Sequence, residues 1–234
     1  MSSSIPSIRP RAVVFDLDGL LFNTEELYED VGTELLRRRG HAFEHDLLKA
    51  MMGRPARVAL QMMIDHHALS DTVETLAAET AEIFPAILDA RLALMPGAAE
   101  LLAALEHADI PKAIGTSSGR RFVTGVLGRF NLEPRFEFIL TAEDVIEGKP
   151  QPEIYLKAAA QFALRPVEIA VFEDSQNGCR AAVAAGAVAV AVPGGHSRTH
   201  DFAGAMLVAE SLADPRVYEL LGLPRPESKA IEAR

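Results

Sequence analysis

Two aspartates stand one residue apart where an apolar run stops: Ala12-Val13-Val14-Phe15 leads into Asp16-Leu17-Asp18-Gly19. Other apolar runs stop in the same way. Lys112–Gly115 leads into Thr116-Ser117-Ser118, and Ile169–Phe172 into Glu173-Asp174. A run ending at Leu140 is followed by a loop carrying Lys149, in Gly148-Lys149-Pro150-Gln151-Pro152. These residue types suit covalent transfer of a phosphoryl group. A carboxylate such as Asp16 can attack phosphorus and split one hard displacement into two easier ones. The ester repels that carboxylate, so cations must stand between them. Magnesium takes one or two carboxylates plus substrate oxygens, which Asp16 and Asp174 can supply, and Lys149 adds a point charge. The Thr116 hydroxyl and neighbouring N–H groups can hold the remaining phosphoryl oxygens. Asp18, two residues beyond Asp16, projects from the same side of an extended chain and can protonate the leaving oxygen. Gly19 permits the tight backbone that follows. Aspartate is common in turns, so the pair alone is a weak signal; the four groups in this order, each at a strand end, carry the reading.

Something must bring these groups together. The runs are apolar on both faces, as are Phe138–Leu140 and Ala187–Val192, which is the pattern of parallel strands covered by helices. Helical patterns lie between them at Gly97–His107, Ser118–Arg129 (with a serine available as cap), Pro152–Phe162 and Ser175–Ala185. Alternation of this kind predicts right-handed crossovers and a doubly wound, Rossmann-like α/β fold. Ligands then bind beyond the carboxyl ends of the strands, where the polar groups sit. From about Asn23 to Arg91 the rhythm changes to consecutive helices, Glu25–Arg39, Arg57–His67 and Ser70–Leu88. The expected organisation is a catalytic α/β domain of residues 1–22 and 93–234, with a small α-helical cap domain, 23–92, inserted after the first strand.

Composition limits the alternatives. A formal charge of −10 over 234 residues argues against a general nucleic-acid binder, which needs a basic face. Cys179 is the single cysteine, so an intrachain disulfide is excluded and a reducing cytoplasm is the expected location. The first ten residues lack an apolar core and read as a tail rather than a signal peptide. The longest apolar run, 181–192, is short of the ~20 residues of a spanning helix. A soluble monomer acting on a small phosphorylated metabolite is expected.

The sequence resembles the haloacid dehalogenase-type phosphohydrolases, on DLDGLLFNTE at Asp16–Glu25, TSS at Thr116–Ser118, GKPQPE at Gly148–Glu153 and FEDSQNG at Phe172–Gly178. Its helical insertion resembles the small cap of β-phosphoglucomutase and pseudouridine-5′-phosphatase. The resemblance implies Asp16 as nucleophile, Asp18 as general acid and base, and Thr116, Ser117 and Lys149 as phosphate ligands. It implies Mg²⁺ on Asp16, Asp174 and the Asp18 backbone carbonyl, with Glu173 in or near the outer shell. Asn23 departs from the pattern, since many relatives carry aspartate there, at the cap hinge.

Within the insertion, Met52-Gly53-Arg54-Pro55-Ala56-Arg57 reads as a shaped loop, and Gly53 and Arg54 are candidate contacts for the non-reacting end of a substrate. Arg57 and Arg120 read as surface arginines. His41/His45 and His196/His200 have metal-binding spacing on a helix but no convincing third ligand. A sugar phosphomutase is the alternative reading; relatives with that activity place a histidine where this chain has Tyr28, which favours hydrolysis. A signalling receiver also phosphorylates an aspartate, but it is about half this length and has no lid.

Overall fold

The computed structural model describes residues 9–51, 56–195 and 197–225. The chain forms two compact units, Met1–Phe22 with Leu94–Arg234, and Asn23–Ala93.

The first unit is built on six parallel strands: β1 (Ala12–Phe15), β2 (Lys112–Gly115), β3 (Ile139–Leu140), β4 (Ile169–Glu173), β5 (Val188–Ala191) and β6 (Leu207–Val208). Their order is β3-β2-β1-β4-β5-β6, so the sheet is doubly wound and its direction of growth reverses at β1. Every residue of β1 and β4 is buried, which explains runs that are apolar at successive positions. Ala12, Val14, Ile169 and Val171 point to one face and pack with Tyr155, Ala158, Cys179 and Ala182. Phe15 and Phe172 are opposite one another in the ladder and stack with ring centroids 5.3 Å apart. Each fully buried side chain of this size contributes about 1.5–3 kcal/mol. Helices at Ala98–His107, Arg120–Arg129, Glu153–Gln161, Gln176–Ala185 and Pro215–Leu221 belong to the same unit.

The second unit is all helical among its described residues: α1 (Thr24–Arg37), α2 (His45–Met51), α3 (Ala56–His67) and α4 (Val73–Arg91). Leu27, Val31 and Leu35 recur every fourth residue of α1 and are buried, the stripe that a helix packing on one face requires. The unit's core joins Val31, Leu35 and Leu36 to Met63, Ile64, Val73, Leu76 and Ile83. Met51 packs against the same cluster. α4 starts later than the expected Ser70, with Thr72 as its cap, whose hydroxyl accepts the Thr75 N–H at 3.2 Å. No helix among the described residues is long and apolar enough to cross a membrane.

Two helices and one strand were not expected from the sequence: α2, the helix Pro215–Leu221 and the edge strand β6. Each is short, and two apolar residues such as Leu207-Val208 give no periodicity to read.

Candidate active site

Asp16 is the first residue beyond β1, and its N–H donates to the carbonyl of Phe172 at 3.0 Å. The ladder therefore runs one step past the strand and sets Asp16 beside the end of β4, at the reversal of strand order. Thr116 is held in the same manner beyond β2, its N–H donating to Leu140 at 3.0 Å. Asp16, Thr116, Glu173 and Asp174 are all buried.

Lys149 reaches this cluster from the loop after β3, and the Lys149–Pro150 peptide is cis. Its ammonium donates to Asp16 Oδ1 and Glu173 Oε1, both at 2.5 Å, and to the Gly115 carbonyl at 2.9 Å. Those three bonds use all three of its donors. The ammonium also lies 5.2 Å from the centroid of the Tyr155 ring, over its face. Glu173 is closed in from every side. Its Oε1 also accepts from the Tyr155 hydroxyl, and its Oε2 from the Ser175 hydroxyl at 3.1 Å. Residues 169, 171 and 173 share a strand face, which is why Glu173 meets Tyr155 on the face where Ile169 and Val171 pack. Ser175 in turn caps the helix Gln176–Ala185 by accepting the Gly178 N–H at 3.1 Å.

Asp18 is held differently. Its Oδ2 accepts the Ser118 hydroxyl at 2.5 Å and the Thr116 hydroxyl at 3.4 Å, while the Ser118 N–H donates to Thr116 Oγ1 at 3.1 Å. Ser118 is therefore a partner of Asp18 and not the helix cap expected from the sequence; Gly119 occupies the cap position without a side-chain bond. Gly19 has φ +73°, a left-handed conformation that a β-carbon would disfavour. Ser117 lines a cavity of about 190 Å³ with Thr116, Gly148 and Lys149 and with the apolar Val145, Ile146 and Ile154; none of the aspartates lines it.

The electrostatics favour a divalent cation. One oxygen each of Asp16, Glu173 and Asp174 lies within 4.8 Å of the others. Burial pushes Asp16 up to about 8, the Lys149 charge opposes this, and the Glu173 and Asp18 carboxylates add to it. Burial also acts against the Lys149 charge, but the carboxylates of Asp16 and Glu173 outweigh it and hold the ammonium well above the ordinary lysine value. Three buried carboxylates thus cluster together, two of them against the Lys149 ammonium. An all-oxygen donor set with surplus negative charge fits a hard divalent ion. Glu173 already receives three hydrogen bonds on its two oxygens, which leaves Asp16 and Asp174 as the better direct ligands.

Other expectations fall elsewhere. Gly53 and Arg54 lie outside the described residues, as does His196. Arg57 pairs with Glu74 at 2.5 Å, both side chains exposed. Arg120 is bound to the helical turn after β3: its N–H donates to Glu143 and its guanidinium pairs with Asp144. His41 precedes α2 rather than lying on a helix, so its spacing to His45 does not place the two on one face. Sequence reasoning passed over Ser118, Tyr155 and Ser175. Ser118 stands beside Thr116 and Ser175 two residues after Glu173, which were signals; Tyr155 comes from a packed helix and gave none.

A model of the haloacid dehalogenase-like hydrolase family matches residues 13–192. A "Phosphorylated carbohydrates phosphatase" of Thermotoga maritima is 33% identical over 175 residues, covering 75% of this chain and 81% of the relative. A Drosophila melanogaster protein named "Probable pseudouridine-5′-phosphatase" is 34% identical over 217 residues, 90% of this chain and 93% of its own. Among solved structures, a Thermotoga maritima protein with the provisional name β-phosphoglucomutase superposes with a TM-score of 0.76 at 31% identity, covering 91% of this chain and 97% of that one.

Proposed function

The chain belongs to the haloacid dehalogenase-like hydrolase family and is a phosphoric monoester hydrolase, and we propose that it turns over small phosphomonoesters through an aspartyl-phosphate on Asp16. The observation that carries the reading is the contrast between the two aspartates. Asp16 sits against the Lys149 ammonium, whereas Asp18 sits against the hydroxyls of Ser118 and Thr116. Two carboxylates in unlike surroundings suit two unlike roles.

In the proposed reaction, an Asp16 carboxylate oxygen attacks phosphorus and the bond to the ester oxygen breaks. Asp18 gives its proton to the leaving oxygen, then takes one from the water that hydrolyses the acyl phosphate, releasing phosphate and restoring Asp16. Lys149 holds Asp16 in place and offsets its charge. Thr116, Ser117 and the neighbouring N–H groups are assigned the phosphoryl oxygens. Mg²⁺, held by Asp16, Asp174 and the Asp18 carbonyl with Glu173 behind them, would supply charge neutralisation between nucleophile and phosphate. The helical unit is proposed to act as a cap, with Gly53 and Arg54 contacting the distal part of a substrate. Sugar phosphates and nucleoside monophosphates are the proposed substrates, in keeping with the names of the relatives.

A phosphomutase is the second reading, prompted by the β-phosphoglucomutase name of one structural neighbour. Tyr28, stacked on Phe84 with centroids 4.9 Å apart, offers no imidazole at the position where the mutase resemblance places one. Incubation with a panel of phosphorylated metabolites separates the readings: a phosphatase releases free phosphate, a mutase yields an isomeric sugar phosphate. Asp16→Asn, nearly isosteric, is the test of the covalent step. It should keep the fold by circular dichroism and lose phosphate release from p-nitrophenyl phosphate. Persistent turnover by that variant, free of contaminating enzyme, would remove Asp16 as nucleophile.

A further inference from the structure

A second cluster of metal-ligand type lies wholly inside the helical unit. His66 and His67 end α3, and Glu44 immediately precedes α2. Glu44 Oε2 lies 3.2 Å from His67 Nε2 and 3.7 Å from His66 Nε2. Donor atoms around a tetrahedral zinc ion, with bonds of about 2.0–2.1 Å, stand about 3.3 Å apart. The observed separations bracket that distance.

The second observation concerns His67 itself. Its side chain is only 6% exposed, and its Nε2, a buried atom, forms no hydrogen bond even though the Glu44 carboxylate is near. A buried ring nitrogen in that condition is disfavoured unless something completes it. Burial lowers His67 from the ordinary histidine value, with Glu44 opposing, and the rings of His41 and His66, at 4.7 and 4.8 Å, acting in the same sense as burial.

We propose that Glu44, His66 and His67 form a binding site for a divalent transition metal of the zinc class, separate from the aspartate cluster and different in chemistry. Two imidazoles and one carboxylate favour Zn²⁺ over Mg²⁺, which keeps to oxygen ligands. Three protein ligands leave a fourth position for solvent, and Glu44 and His66 are open enough to admit it. The bound ion would fasten the last turn of α3 to the segment entering α2, joining two pieces of the helical unit.

The test uses the full chain, freed of metal by a chelator and then held in excess Mg²⁺ to occupy the aspartate cluster. Titration with Zn²⁺ against a chromogenic chelator should give one site. Glu44→Gln and His66→Asn alter exposed side chains, leave the fold intact and should weaken that site about ten-fold or more. Asp174→Asn should leave it unchanged. Co²⁺ in place of Zn²⁺ should give the visible bands of a four-coordinate ion, lost in the His66 variant. Absence of a Zn²⁺ site, or a site whose affinity and Co²⁺ spectrum ignore Glu44→Gln and His66→Asn, would overturn the proposal. A site lost only in Asp174→Asn would assign the ion to the aspartates instead.

Discussion

A β-carbon at Gly178 would stand 1.9 Å from the carboxyl carbon of Glu173. Real atoms never approach so closely, so the bare backbone at position 178 is what leaves room for the Glu173 carboxylate. Gly178→Ala should force that carboxylate from its place between Lys149, Tyr155 and Ser175. Its lost position should lower phosphatase activity about a hundred-fold and destabilise the unit by about 1–3 kcal/mol. Steady-state assays and urea unfolding check both. Unchanged activity in a destabilised variant would show that Glu173 serves the fold alone.

Divalent metal should be required. Chelation should abolish turnover, Mg²⁺ should restore it, and excess Ca²⁺ should inhibit, because calcium takes more ligands at longer distances and disturbs an in-line geometry. Full activity in chelator would remove the metal from the reaction.

Asp18→Asn should discriminate between leaving groups. Protonation matters most for a poor one such as a sugar alkoxide and little for p-nitrophenolate. The burst that reports phosphorylation of Asp16 should survive with p-nitrophenyl phosphate and be lost with a sugar phosphate, while later turnover slows for both. Equal loss of the burst would contradict the assignment of Asp18 as acid.

Glu106 sets a pH dependence of stability. Arg135, bound through its guanidinium, holds its carboxyl down at about 2, burial opposes this, and the buried Lys112 ammonium at 2.9 Å adds to the lowering. A depressed carboxylate stabilises the folded state above its unfolded value, 4.5, and the contribution fades as pH falls toward 2. Glu106 is partly exposed, so Glu106→Gln should lose only about 1 kcal/mol at pH 7. The gap between variant and parent in urea midpoint should close across that acidic window. A gap that stays constant down to pH 2 would mean that packing, not charge, is what the glutamate provides.

Arg39 holds the helical unit together at a corner. Its guanidinium pairs with Asp71 at 2.7 Å and Glu79 at 2.8 Å and donates to the Leu35 carbonyl at 2.9 Å. The side chain is only 14% exposed, so Arg39→Met should cost about 1–3 kcal/mol by leaving two carboxylates facing each other. Arg39→Lys should recover part of this, because one ammonium cannot span both carboxylates in two-pronged fashion. Equal stability of all three proteins by urea unfolding would reduce the cluster to a surface pair.

The strands that position the chemistry were legible because a strand buried on both faces must be apolar at consecutive positions. Ala12–Phe15 and Ile169–Phe172 can be read with no help from tertiary structure. The polar groups at their ends stand out for the same reason. What local pattern does not carry is the direction in which a polar side chain turns once neighbours arrive. Ser118 looks like a helix cap in isolation, yet Asp18, a hundred residues away, takes its hydroxyl. His66 and His67 look like an ordinary helix end, and only the fold brings Glu44 to them.

The place of β1 in the middle of the sheet has a consequence for how the protein is made. β1 leaves the ribosome first, yet its two neighbours are β2, about a hundred residues later, and β4, later still. Until β2 emerges its backbone groups have no ladder, and until β4 follows one of its edges stays unpaired, the condition in which a strand pairs with other chains. Asp16 likewise waits 133 positions for Lys149. A nascent chain stopped short of Ile169 would therefore present an unpaired edge of β1 and, without Glu173 and Asp174, lack the acidic cluster of the site.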